Sequence, residues 1–316
     1  MTAALTWTLT DGATGNVRQA EALARALHRS ARACTLLARA PWKQVAPRWL
    51  PGAGQAFGPD FAAALAQPPE LAIGCGRQAA LATRLLRARG ALAVQILDPR
   101  IASRHWDLVI APEHDRLRGA NVLSLLGSLN PVDEAWLASA RQAFAGLGAL
   151  PGPRIAVLVG GPTPQAALDL EDIEAMLAPV DAKARATGGT VLVTASRRTP
   201  PVIIDALRRR YAAGPHRVWA GEQDGPNPYA GLLAWADAIV CTPDSVNMLS
   251  EACATQAPVF VHAPQRTRGR LARFLGQLRE LRRIAPLADG LPPFAVVPLR
   301  ETARIAAEVR SRLSLA

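Results

Sequence analysis

One unit recurs along this chain and limits what it can fold into. A short apolar or β-branched run is followed by a break containing Gly, Pro or Asp, and then by apolar residues at helical spacing. Leu5, Trp7 and Leu9 alternate with threonines, residues 10–16 form a glycine-bearing loop, and Val17, Ala20, Ala24 and Leu27 follow at helical spacing. The strand expected at 71–73 passes through Gly74-Cys75-Gly76-Arg77 into a helix ending at Arg87. Further strands are expected at 94–97, 107–110 and 121–123, while residues 41–69, rich in Pro, Gly and Trp, offer only a short helix at 61–66. Residues 145–153 are small, uncharged and broken by Gly and Pro, as linkers are, and after them the pattern restarts. Strands are expected at 155–159, 191–194, 217–219, 238–241 and 258–261, and helices at 169–187, 201–211, 266–284 and 301–315. Alternation of this kind in both halves predicts the α/β class, with two doubly wound domains. The expected boundaries are 1–148, 149–298 and a terminal helix over 299–316 that packs back on the first domain.

Composition restricts the partners. The chain has 316 residues, enough for two cores of ordinary size, and a formal charge of +11. Nearly all of that charge is arginine, because Lys43 and Lys183 are the only lysines. A basic surface suits nucleic acid, anionic lipid or phosphorylated small molecules. The sequence has no zinc-finger spacing, basic zipper or aromatic RNA-binding motif, which places nucleic acid last. Cys34, Cys75, Cys241 and Cys253 are scattered and read as small buried hydrophobes in a reducing compartment. No basic leader precedes a long apolar run, and no stretch approaches the ~20 apolar residues of a spanning helix. The expected location is cytoplasmic, free or peripheral on the inner face of the membrane.

The loops at the strand ends carry the chemistry. Residues 237–256 read as a buried strand, a Thr242-Pro243-Asp244-Ser245 break, and a helix capped by Ser245. On that helix Val246, Leu249 and Cys253 make an apolar face, and Asp244, Asn247 and Glu251 share the same spacing nearly opposite. An ordinary capped βα turn would have the same pattern; the alternative is an anion site at the helix start. Gly160-Gly161 offers backbone amides. Ser196-Arg197-Arg198-Thr199 offers hydroxyls and guanidinium forks. Together with the helix dipole these fit a diphosphate, with Glu251 able to accept from sugar hydroxyls. In the first half, Asp11 ends a strand, where a turn former or cap is the plainer reading. Gly12, Gly15 and Asn16 form the following loop, and its spacing is neither GxGxxG nor a P-loop. His114 lies between Glu113 and Asp115 at another strand end, a position for a proton acceptor or simply a solvated loop. No metal-ligand spacing or Asp-x-Asp site is present. Asp169, Glu171 and Asp172 read as a helix's first turn, and no metal or other cofactor is expected. The 266–284 segment sets five apolar residues among seven arginines, as a packed surface helix or one attracted to anionic lipid.

The blocks TDGATGNVRQAEALARAL, DLVIAPEHD, NVLSLLGSLN, VTASRRTP and NPYAGLLAWADAIVCTPDSVNMLSEA run in order over most of the chain. They resemble the mitochondrial fission elongated-mitochondria family, whose bacterial members are regarded as glycosyltransferases. The resemblance implies a GT-B architecture: two Rossmann-like domains facing across a cleft, the C-terminal one holding a nucleotide sugar and the N-terminal one the acceptor. It also implies that Glu251 binds donor hydroxyls.

The expected activity is metal-independent transfer of a sugar from a nucleotide-diphosphate sugar to an acceptor, with an envelope glycan or glycolipid as the candidate. Gly160, Gly161, Ser196, Arg197 and Thr199 would hold the diphosphate, Asn227 and Tyr229 border the nucleotide, and Asp244, Ser245 and Glu251 complete the donor site. Asp11 or His114 would serve as base, with Gly12, Gly15, Asn16, Glu113 and Asp115 on the acceptor side. The alternatives are a non-catalytic adaptor, as the plant relatives' link to recruitment of a dynamin-like protein suggests, and a nucleotide-sugar epimerase.

Overall fold

The computed structural model describes residues 5–315. The chain begins with β1 (Thr6–Thr10), α1 (Thr14–Ala26), β2 (Ala31–Thr35), α2 (Trp42–Val45) and α3 (Pro59–Ala64). It continues through β3 (Leu71–Cys75), α4 (Arg77–Arg87), β4 (Leu92–Ile96), β5 (Leu108–Pro112) and β6 (Val122–Leu125). These six strands pair in parallel in the order β2-β1-β3-β4-β5-β6. Parallel strands must be covered on both faces. Leu71, Ile73 and Cys75 pack with Leu23 of α1 on one face, while Trp7, Leu9 and Ala72 pack with Leu81 and Leu85 of α4 and with Phe61 on the other.

Then come α5 (Glu134–Ala143), α6 (Ala145–Gly148), β7 (Arg154–Val159), α7 (Leu170–Thr187), β8 (Thr190–Ala195), α8 (Pro201–Arg210) and β9 (Arg217–Trp219). They are followed by α9 (Tyr229–Trp235), β10 (Ala238–Cys241), α10 (Val246–Cys253), β11 (Val259–Val261), α11 (Gly269–Glu280) and β12 (Ile284–Pro286). The second sheet is again parallel and six-stranded, in the order β12-β11-β10-β7-β8-β9. Renumbered from its first strand, that is the 3-2-1-4-5-6 order of a Rossmann sheet. Asp169 and Asp172 form a capping box at the start of α7, as the acidic first turn suggested.

The two compact units divide at Pro131/Val132 and at Arg300/Glu301. The last element, α12 (Thr302–Leu313), belongs to the first unit. Ile305, Ala306 and Val309 enter the core beside α1, and Arg304 donates to the Ser124 carbonyl at 2.9 Å. The sequence reading put the first boundary at residue 148, but α5 and α6 pack within the second unit. Arg141 donates to the Ala234 carbonyl at 2.9 Å. Gly148 and Gly231 lack the Cβ atoms that would lie 2.6 Å from Trp235 and 2.5 Å from Phe144.

Two strands escape a reading based on apolar runs. β2 is an edge strand, Ala-Arg-Ala-Cys-Thr, and mostly exposed. β12 is also an edge strand and takes Ile284 from the expected 266–284 helix. That helix is accordingly shorter: Leu271, Phe274, Leu275 and Leu278 are buried in α11, whereas Leu281 lies beyond it and is exposed. Arg283, which the sequence counts toward a basic face, is interior. Its guanidinium donates to the carbonyls of Ala252, Cys253, Thr255 and Ala257 at 2.8–3.1 Å, closing the carboxyl end of α10.

Replacing Arg283 with Leu takes the donor from the Thr255 and Ala257 carbonyls in the interior, while those of Ala252 and Cys253 keep Thr255 and Leu299 as donors. The expected loss is about 3 kcal/mol of second-unit stability, on the scale of removing one member of a buried, hydrogen-bonded charge site. A lowered urea midpoint with native circular dichroism before the transition is the check.

Candidate functional site

In an open parallel sheet, ligand sites form outside the carboxyl ends of the strands where the winding reverses. In the second sheet that point lies between β7 and β10, because the chain runs outward from β7 to β8 and β9 before returning to β10. Gly160 and Gly161 follow β7, Thr242 and Asp244 follow β10, and Ser196 to Thr199 follow the neighbouring β8. The structure brings these predicted residues together.

Their contacts differ from the expected phosphate nest. The Gly160 N–H donates to the Thr242 hydroxyl at 2.8 Å, and the Gly161 N–H donates to Asp244 Oδ2 at 3.2 Å. Both amides are therefore already partnered. The Thr242 hydroxyl in turn donates to Asp244 Oδ1 at 2.7 Å. Arg198, not Arg197, completes the cluster, its Nη2 lying 2.7 Å from Asp244 Oδ2. The Asp244 side chain is 1% exposed and that of Arg198 is 49% exposed, so the guanidinium joins a buried carboxylate to the surface. Arg197 is exposed. Thr199 is buried; its hydroxyl donates to the Gly160 carbonyl at 2.6 Å and accepts from the Ser196 N–H at 3.0 Å. A Cβ on Gly160 would sit 2.0 Å from Asp244 Oδ1, and one on Gly161 would sit 2.2 Å from the Arg198 carbonyl oxygen. The glycines let three loops touch.

Ser245 caps α10 by accepting from the Met248 N–H at 3.3 Å. One turn and more into that helix, Glu251, on the polar face that its spacing gave, is only 2% exposed. The Tyr229 hydroxyl donates to Glu251 Oε2 at 2.6 Å. Asn227 is exposed, and its side chain accepts from the Tyr229 N–H at 2.9 Å, starting α9. Asn227, Tyr229 and Glu251 thus form a second connected group, from the loop before α9 to α10.

In the first sheet the winding reverses between β1 and β3. Asp11 Oδ1 accepts from the Ala13 N–H at 3.1 Å and from Asn16 Nδ2 at 2.9 Å, which is the turn-forming role. Gly12 is exposed with φ +80°. Gly15 and Asn16 lie in the first turn of α1, not in a loop. Asn16 Oδ1 also accepts from the Cys75 thiol at 3.5 Å, linking the ends of β1 and β3. Burial, then the Asp11 charge, pushes that thiol far above its usual range. His114 occupies a buried 3-10 turn after β5, between half-buried Glu113 and Asp115, so the solvated-loop reading does not hold for it. Three strand spacings separate the ends of β1 and β5, about 14 Å at ~4.8 Å per step. Asp11 and His114 therefore cannot act on the same proton.

Sequence comparison decides the family. The model for Mitochondrial fission ELM1 matches residues 14–313. The chain belongs to the mitochondrial fission ELM1 family. An ELM1 relative, Mitochondrial fission protein ELM1 of Arabidopsis thaliana, is 31% identical over 277 residues. The match covers 78% of this chain and 64% of that protein, so the chain spans just under two thirds of the relative's length. Among solved structures, UDP-GlcNAc 2-epimerase from Methanocaldococcus jannaschii, in complex with UDP-GlcNAc and UDP, aligns at a TM-score of 0.50 and 10% identity. That alignment covers 97% of this chain and 99% of the epimerase. The calicheamicin glycosyltransferase CalG4 aligns at a TM-score of 0.51 and 16% identity over 100% of both chains. At such identities the likeness establishes the GT-B type of fold, two Rossmann-like units, which this ELM1-family chain shares with glycosyltransferases and epimerases. No helix among the described residues is long and apolar enough to cross a membrane.

In this ELM1-family chain, Gly160→Ala forces a methyl group onto the Asp244 carboxylate and should cost about 2 kcal/mol, as overpacking does. Asp244→Ala should cost about 3 kcal/mol by taking the acceptor from the buried Gly161 amide and the carboxylate from Arg198. The double variant removes the clash, so its loss should fall short of the sum by at least ~1 kcal/mol in a denaturation cycle.

Proposed function

We propose that this protein is a metal-independent glycosyltransferase that takes its sugar from a nucleoside diphosphate donor held by the second unit. The observation that carries this reading is the buried Glu251 carboxylate, hydrogen-bonded to the Tyr229 hydroxyl on the helix that starts beside the winding reversal. A buried carboxylate facing a hydroxyl is suited to accept from sugar hydroxyls, with Tyr229 sharing it or yielding it when donor enters. The diphosphate is assigned to the groups left outward-facing around the Asp244 cluster: Arg198, Arg197, the Ser196 hydroxyl and the amides that open α10. The Gly160 and Gly161 amides support that frame from within. Positive charge and the helix start would stabilise the departing nucleoside diphosphate, the main electrostatic demand of this chemistry. Asp11 and His114 are the proton acceptors assigned to the first unit, and only one of them can serve. The acceptor is assigned to the glycan or lipid-linked class, and an anionic membrane surface would suit the basic charge. The name of the Arabidopsis relative supports a second reading, an adaptor that keeps the fold without turnover. The epimerase likeness supports a third, in which a nucleotide sugar is converted with no acceptor.

Thermal-shift titration with nucleoside diphosphates and their sugars tests the donor site. A ligand at ~100 times its dissociation constant adds about 2.7 kcal/mol, an easily read shift. Glu251→Gln should weaken the sugar nucleotide ~10-fold or more, and the bare diphosphate far less, since a hydrogen bond to a charged group is worth about 1.5–3 kcal/mol. No shift with any nucleotide on folded protein would sink the transferase reading in favour of the adaptor. Donor turnover with no acceptor present would select the epimerase.

A further inference from the structure

A cavity of about 430 Å³ opens at the opposite, amino-terminal edge of the first sheet, away from the loops considered above. It lies where α4 ends and β4 and β5 begin, and Trp49, Arg84, Arg87, His105 and Asp107 line it. Its volume falls in the ~300–1,000 Å³ range of small-molecule sites. We propose that this pocket binds a small organic phosphate, with the phosphate on Arg84 and an apolar or aromatic body against Trp49.

The charges in the pocket do not balance. Arg87 is satisfied: its Nε and Nη2 lie 3.0 and 2.9 Å from Asp107 Oδ1, and Asp107 Oδ2 accepts from the Ala93 N–H at 2.8 Å. That pair is neutral and braced. Arg84 differs. Its guanidinium donates to the Pro47 carbonyl and, at 3.4 Å, approaches His105 Nδ1. Among the described residues no carboxylate lies within ion-pair distance of it. The guanidinium lies 5.8 Å from the Trp49 ring centre and 6.0 Å from that of Trp106. Two indoles hold the cation in place and keep water from part of it, which strengthens its pull on an anion.

The neighbours add to the same sign. Burial and the charges of Arg84, Arg104 and Arg87 all hold His105 below the usual histidine range. With Nδ1 accepting from Arg84, the neutral ring carries its proton on Nε2, a further donor for an anion. The carboxyl end of α4 opposes this field with only about half a negative charge. Trp49 is 49% exposed, an aromatic face left open at the mouth of a cationic pocket. An aromatic face beside a guanidinium fits a ligand that is apolar at one end and dianionic at the other.

The probe is 1-naphthyl phosphate, titrated calorimetrically into the full chain at two salt concentrations. Wild type should bind it, more weakly at high salt, and should bind 1-naphthol and inorganic phosphate at least ~10-fold less well, each lacking one end of the match. Arg84→Gln should weaken the probe at least ~10-fold. Arg84 also braces the Pro47 segment, so Ala88→Glu provides a second variant, placing a carboxylate at an exposed position on the rim. It should weaken the probe similarly with only a small drop in melting temperature, the cost of a carboxylate at the carboxyl end of α4. Glu251→Gln, in the other unit, should bind as wild type does. The proposal is overturned by no binding to folded wild type, by 1-naphthol binding as well as its phosphate, by an Ala88→Glu variant that binds normally, or by loss of binding in Glu251→Gln.

Discussion

A carboxylate that is almost wholly out of water needs several donors, and the second unit is arranged to supply them to Asp244. Thr242, the Gly161 amide and Arg198 come from the ends of three adjacent strands and converge on its two oxygens. An uncompensated buried charge would cost several kcal/mol, so each donor is held in place by the cost of losing it. The same demand explains the two glycines after β7. Any side chain there would displace either the carboxylate or the Arg198 backbone. The loop geometry at the winding reversal is thus fixed by one charge before any ligand arrives, and the outward half of Arg198 and the start of α10 are presented on a rigid frame.

Much of the architecture was legible because it rests on local periodicity. Buried parallel strands are short apolar runs, and nearly every such run became a strand. The Rossmann order could not be read, since neighbours in a sheet are set by long-range packing. The edge strands β2 and β12 were missed for a physical reason: an edge is half solvated and needs no apolar run. The boundary at residue 148 moved because Gly148 reads as a linker residue by composition, while its missing side chain serves close packing against Trp235.

The site was legible by region and less so by role. The strand-end loops were found, and so was the Tyr229–Glu251 neighbourhood. Arg197 and Arg198 are indistinguishable in sequence, and only the turn after β8 decides which one reaches Asp244. Helical spacing put Glu251 on the polar face of α10 without telling what packs on that face. Here α9 brings a tyrosine hydroxyl to the polar side. Asn16 gave no signal beyond its place in a glycine-bearing segment, yet it joins Asp11 to Cys75. Arg84 was one arginine among many, and its isolation from carboxylates is a property of three dimensions only.

The return of α12 to the first sheet sets an order of assembly. Synthesis runs from the amino end, so every residue of the second unit, Val132–Arg300, leaves the ribosome before Ile305, Ala306 and Val309 can cover the face beside α1. The usual sequence, in which the first-made domain finishes first, is therefore inverted. A nascent chain would carry a completed Rossmann-like body while its earlier half still exposes a strip of apolar sheet. In the folded protein, α1 and α12 share one core. Fraying of α12 would therefore loosen the unit to which β1 and α1 belong.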